Sequence, residues 1–234
     1  DMPNTSPATT SADALKAKIA LAEGRCASKI AFHIGATNDN ADAICRMVEE
    51  GDEAAGIKPE DIAGVKVFMG SSTGNMLVDD EKTLDDIFSL EGIIAIHSED
   101  EKIIRDNMAK HKEAYGDNLP VSCHPAIRSE EACYVSTKRA VERALKHGTR
   151  LHVFHLSTAK ELEFFTTQPL REKKITAEVC VHHLWFSDED YQRLGTRIKW
   201  NPAIKTAADR KALQDAVNSG KVDVVATDHA PHLL

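Results

Sequence analysis

The sequence contains no apolar run near the roughly 20 residues that a membrane-spanning helix needs, and its opening residues, Asp1 to Thr5, do not make a signal peptide. Its five cysteines, Cys26, Cys45, Cys123, Cys133 and Cys180, are odd in number and never spaced as CxxC. That excludes a disulfide framework and a zinc knuckle as organising features, and makes a reducing cytoplasm the expected compartment. Basic blocks are also missing. With 29 Lys and Arg against 37 Asp and Glu, the net charge of -8 is spread without long like-charge stretches. Nucleic acid and anionic membrane are therefore poor partners, since both attract basic patches, and a small-molecule substrate is favoured. Neither GxGxxG nor GxxxxGK[ST] occurs, so nothing supports a nucleotide-binding fold. A starting methionine is absent too. The opening Asp1-Met2-Pro3-Asn4-Thr5 reads as the end of a strand and its loop, and the chain is expected to be a fragment.

What is present is ordinary globular content, 42% hydrophobic and 28% charged over 234 residues. No low-complexity segment or repeat marks a boundary, so residues 1–234 are expected to form a single barrel domain, incomplete at both ends.

Helix-period and strand-like segments alternate almost without interruption. Helices are expected over 11–24, with Ser11 as N-cap, and over 41–50, with Ile44, Met47 and Val48 inward. Further helices are expected near 84–90 and over 99–115, 129–147, 157–165 and 207–218. Strands are expected over 28–34, 64–70, 93–97, 151–155, 175–181 and 222–226, the last covered on both faces. Residues 71–74 and 118–128 read as loops. Such alternation implies parallel βαβ units with right-handed crossovers. Both a doubly wound sheet and a (β/α)8 barrel of the TIM type satisfy it. The barrel is favoured because polar residues recur at the C-terminal ends of several strands, whereas an open sheet concentrates its site at one switch point.

Those polar residues define the candidate site. Asp228 follows the apolar run Val222 to Ala226, and Pro231 turns the chain so that His232 can be directed toward the same mouth. His97 and His155 each end an apolar strand, and Lys66 lies between Val65 and Val67. Each has a bland reading: a helix cap, a hydrogen-bonded core histidine, a lysine on a half-exposed strand. Together they form a nitrogen and oxygen set suited to zinc or another borderline divalent ion. On a central strand Lys66 would be desolvated, which disfavours its ammonium form; a neutral amine can add carbon dioxide and become a bridging carbamate. His152 is expected to point away from His155 or to support it from behind, and His33, His111, His124 and His147 read as ordinary histidines.

The motifs Met2-Pro3-Asn4-Thr5, Val65-Lys66-Val67-Phe68-Met69, His97-Ser98-Glu99-Asp100, His152 to Thr158, Glu178 to Leu184, Asn201-Pro202 and Thr227 to His232 jointly resemble the dihydroorotases of the amidohydrolase superfamily. The resemblance runs over essentially the whole chain. It implies two divalent metals, zinc being the expected ion, bridged by carboxylated Lys66. His97 and His155 would hold the more exposed ion, and Asp228 would ligate the buried one and shuttle a proton. Asn4 and His232 resemble groups that bind a substrate carboxylate, and Asn201 stands where the family contacts the pyrimidine ring. The family's HxH pair and its neighbouring arginine are not in this sequence. The reaction implied is reversible cyclisation of N-carbamoyl-L-aspartate to L-dihydroorotate. Hydantoinase, dihydropyrimidinase or allantoinase chemistry would share the metal set, and a non-catalytic scaffold is the other alternative. The roles of His182 and His183 and the oligomeric state, a homodimer included, stay open.

Overall fold

The computed structural model describes residues 1–70 and 75–230, so the expected loop at 71–74 and the expected substrate group His232 lie outside the described residues. The chain divides into two compact units, one of residues 1–97 with 142–152, the other of 98–141 with 153–234.

In the first unit, α1 (Ala12–Ala22) begins where the Ser11 hydroxyl accepts the Ala14 amide. Only Leu15 of its apolar residues is fully buried, and Leu21 is exposed. Strand β1 (Phe32–Gly35) is shorter than expected, because the polar start Ser28-Lys29 stays in solvent and leaves Ile30 exposed. The opening residues form no strand, yet His33 donates its amide to the Asp1 carbonyl at 3.0 Å, which ties that segment to β1. Then come α2 (Ala41–Glu50), β2 (Ile62–Phe68), α3 (Glu81–Phe88) and β3 (Ile93–His97). Helix α2 buries Ala41, Ile44 and Met47, while Val48 is half-buried.

β1 pairs in parallel with β2, and β2 with β3. The registers put Ile34, Val65 and Ile94 in one row and Val67 beside Ile96; all five are buried. The alternate residues form the other face, with Gly35 beside Lys66, Lys66 beside Ala95, and Phe68 beside His97. Gly64 is required by close approach: a Cβ there would stand 2.7 Å from the Ile93 carbonyl oxygen.

In the second unit, α4 (Glu101–Tyr115) starts at Asp100, whose carboxylate accepts the Ile103 amide. The stretch expected as a loop contains a 3-10 turn, Val121–Cys123, and the short helix α5 (His124–Ile127). Its apolar side chains make a core with α4, in which Ile104, Cys123, Ile127 and Ala132 are buried together. Helix α6 (Glu130–His147) and strand β4 (Arg150–Val153) follow.

The helix expected at 157–165 is only one 3-10 turn, Lys160–Phe164. The Thr158 hydroxyl and the Glu161 side chain bond each other there, and Glu161 also accepts from Thr137 at 2.7 Å. That buried polar anchoring holds the turn, and Pro169 lies a few residues beyond it. Strand β5 (Ile175–Cys180) leads directly into α7 (Val181–Trp185), and α8 (Tyr191–Leu194) and α9 (Ala207–Asn218) precede β6 (Val224–Ala226).

β6 pairs in parallel with β5. Its base is pinned by a buried Lys173–Asp223 pair at 2.7 Å, Asp223 also accepting the Ala177 amide. The expectation that Val222 to Ala226 is covered on both faces needs correction. Val222 is buried, but Val224 and Val225 are 39% and 49% exposed. Among the described pairings of this unit β6 has a neighbour on the β5 side, and its side chains extend beyond that cover.

Candidate active site

Lys66 is 1% exposed, within an otherwise apolar strand. Its Nζ stands 4.9 Å from the centroid of the Phe68 ring, and the His97 ring stacks on the same phenyl at 6.0 Å. Strand periodicity and register therefore bring Lys66 and His97 to one face of the first unit, both against Phe68. His33 lies on that face as well, because it pairs with Gly64, two residues before Lys66 on β2. Burial holds its imidazole down at about 4, helped by the charge of Lys66 and by His152. His33 reads as an ordinary histidine from its local sequence, and only the register reveals its company. Asn4 is exposed, in the loop where the Pro3 carbonyl accepts from both Thr5 and Thr9.

The second unit holds His155 and Asp228. His155 does not end β4, as expected: the strand stops at Val153, and His155 has a left-handed backbone, φ 39°, with its side chain buried. Asp228 has φ 45° and is exposed. Among the described residues these are the non-glycine positions with positive φ, a conformation that costs about 1 to 3 kcal/mol and gathers at functional sites.

Asp228 opens onto a cleft of about 760 Å³ that His182, Trp185, Trp200, Asn201 and His229 also line. Asn201 is exposed at its rim, preceding the buried Pro202. One wall of the cleft is aromatic. Trp200 stacks on His182 at 4.3 Å with an interplanar angle of 10°, and on Phe186 at 5.9 Å. His182 packs in turn against His183 at 4.4 Å. Burial lowers His182 to about 4 and His183 to about 3, so both rings are neutral at pH 7. The two adjacent histidines were visible in the sequence; the aromatic stack with Trp200 was not, since the pair and the tryptophan lie on separate segments.

In the second unit, Ser98 and Glu99, which follow His97 in the sequence, are buried and held by polar partners. Glu99, 0% exposed, accepts from Arg128 Nε at 3.0 and 3.1 Å and from Nη2 at 2.5 Å. Ser98 bonds Thr137 at 2.8 Å. Lys205, buried as well, reaches Ser157 at 3.3 Å and the Ala203 carbonyl at 3.1 Å.

By donor chemistry the side chains fit divalent cations: two imidazoles, a carboxylate and a desolvated amine able to carry a carbamate. Lys66 and His97 belong to the first unit, and His155 and Asp228 to the second.

Comparison with known proteins agrees with the resemblance read from the motifs. A dihydroorotase of Methanosarcina mazei is 32% identical over 100% of this chain and 50% of its own length. An allantoinase of Bacillus velezensis is 30% identical over 99% of this chain and 50% of its own. Among solved structures, the L-hydantoinase (dihydropyrimidinase) of Arthrobacter aurescens superposes with a TM-score of 0.85 at 25% identity, covering 99% of this chain and 50% of that one. No family model matches. The chain spans about half the length of the relatives it matches, and its α/β fold is that of the barrel hydrolases.

Proposed function

We propose, for a chain that is a relative of the dihydroorotases and shares the fold of the cyclic amidohydrolases, that the whole protein carrying it opens and closes a cyclic amide, with N-carbamoyl-L-aspartate and L-dihydroorotate as the pair. The observation that carries the reading is the left-handed Asp228 at the end of β6, opening onto a cleft with Asn201 at its rim.

When bound at Lys66, His97, His155 and Asp228, two divalent ions, zinc by donor preference, would polarise the amide carbonyl and make a bound water acidic enough to attack at neutral pH. The chain's own residues do the rest. The Asp228 carboxylate takes the proton of the attacking water and returns it to the ring nitrogen as the carbon–nitrogen bond breaks, acting as base and then acid. Asn201 offers an amide donor and acceptor to the ring's polar edge. Asn4 and His232 would hold the substrate carboxylate and fix its orientation, which removes part of the entropic barrier. The aromatic wall of Trp200 and His182 limits water on one side of the cleft.

Hydantoinase and allantoinase activities are the second reading, favoured by the allantoinase and hydantoinase relatives. A single assay separates them. With zinc present, the whole protein is offered N-carbamoyl-L-aspartate, hydantoin and allantoin at neutral pH. Turnover of the first is expected to dominate; turnover of hydantoin or allantoin alone overturns the dihydroorotase assignment, and turnover of none favours a non-catalytic scaffold.

A further inference from the structure

We propose that Cys180, His182 and His183 form a separate binding site for one borderline divalent ion such as zinc. Their donor atoms lie within 4.8 Å of one another, and all three residues are buried. The cluster arises from local geometry. Cys180 is the last residue of β5 and His182 and His183 fall in the first turn of α7, so the abrupt change from strand to helix gathers side chains that an extended strand would send to opposite faces.

Two observations mark these groups as ligands rather than packed core. The His183 Nε2 is 3.1 Å from the Pro202 carbonyl, an acceptor only, so Nε2 carries the proton and Nδ1 presents a lone pair. That Nδ1 is buried and, among the described residues, has no hydrogen-bond partner. A buried imidazole nitrogen without a donor is costly, and a cation would satisfy it. The arrangement also matches metal-bound histidines in general, whose second nitrogen donates to a carbonyl that fixes the tautomer. His182 is held in place by Trp200, with ring planes 10° apart. Among the described residues the hydrogen-bond contact of the Cys180 thiol is a long one, 3.9 Å, to Glu178.

On binding, the thiol proton leaves to solvent and sulfur coordinates as thiolate beside two neutral imidazoles. A fourth position can face the cleft that His182 lines, where water can complete a tetrahedron. The ion would clip the end of β5 to α7 and hence to the Pro202 segment. The amine, imidazole and carboxylate set at Lys66, His97, His155 and Asp228 contains no sulfur, so the two kinds of site differ spectroscopically, and the result does not depend on which cyclic amide is turned over.

The purified chain, stripped with a chelator, is titrated with Co2+. A thiolate-to-cobalt charge-transfer band in the near ultraviolet should grow to saturation as Co2+ is added. C180S should abolish it, C123S and C133S should retain it, and H183F should require at least about tenfold more Co2+, with circular dichroism checking that each variant is folded. A second measurement needs no variant: X-ray absorption of the zinc-loaded wild type should show a sulfur neighbour at about 2.3 Å. Absence of sulfur around zinc, or a charge-transfer band that survives in C180S, overturns the proposal.

Discussion

His155 and Asp228, 73 positions apart in the sequence, share a backbone conformation that L side chains rarely adopt, with φ of 39° and 45°. Both follow strands of the parallel fold, after β4 and after β6. The left-handed residue breaks the extended geometry where the strand ends, so its side chain need not follow strand alternation. Such a conformation is retained where the surroundings over-determine it, and here it coincides with the two second-unit residues chosen for chemistry.

Asp228 therefore allows fold and chemistry to be separated. Asp228→Asn tolerates the left-handed backbone but lacks a proton-accepting carboxylate, so turnover by the whole protein should fall by about 10² to 10⁴. Asp228→Gly relieves the backbone, and its urea unfolding midpoint should match or exceed that of the wild type. A loss of activity below about tenfold in Asp228→Asn would remove Asp228 from the proton-transfer role.

A buried lysine that merely packs and one that carries a bridging carbamate differ in what they hold, and Lys66 can be tested for both. Lys66→Met keeps the stem and its packing near Phe68 but cannot form a carbamate, so the protein should stay folded while losing zinc, measured by atomic absorption after dialysis. Added short carboxylic acids should restore part of the metal and activity to Lys66→Ala by filling the bridge. Full zinc content in Lys66→Met would show that another residue bridges the ions.

The Glu99–Arg128 pair predicts a large stability change. Arg128→Met leaves the fully buried Glu99 carboxylate without its bidentate partner, and breaking a buried pair from one side typically costs about 3 to 5 kcal/mol. Denaturant unfolding of the variant should show a loss of that order; a change under about 1 kcal/mol would mean that other groups solvate Glu99.

Gly64→Ala tests the close approach of β2 and β3. Its new Cβ would press on the Ile93 carbonyl at 2.7 Å, and overpacking of this kind usually costs about 1 to 3 kcal/mol. Thermal unfolding reads it directly, and an unchanged midpoint would show that the two strands can separate without loss.

His124 gives stability a pH dependence of known sign. Burial is the largest influence on its imidazole, which is held below the ordinary 6.5 although the Trp200 carbonyl pulls the other way. The unfolded chain thus binds this proton more readily than the folded one. Its contribution is fully present above pH 6.5 and is lost as the pH falls below that value toward the lower folded pKa. Urea midpoints between pH 7.5 and 5.5 should decline, and His124→Gln, which keeps a donor for Trp200, should decline less steeply. Equal slopes would show that other groups set the dependence.

The sequence by itself determined the alternation of strands and helices, because an amphipathic period survives in any context: α2, β3 and α9 stand where their patterns put them. It also marked Lys66, His97, His155 and Asp228, since a polar residue inside or just after an apolar run is conspicuous on its own. Tertiary structure alone decided where the polar side chains lead. Glu161 and its threonine partners reduced an expected helix to a single turn. The register of β1 on β2 placed His33 on the face of Lys66. The stacking of Trp200 on His182 and the carbonyl of Pro202 on His183 turned two adjacent histidines into a wall and a set of donors. Periodicity is a property of neighbours along the chain, whereas hydrogen bonds and ring contacts between distant segments depend on loops whose directions no local pattern encodes.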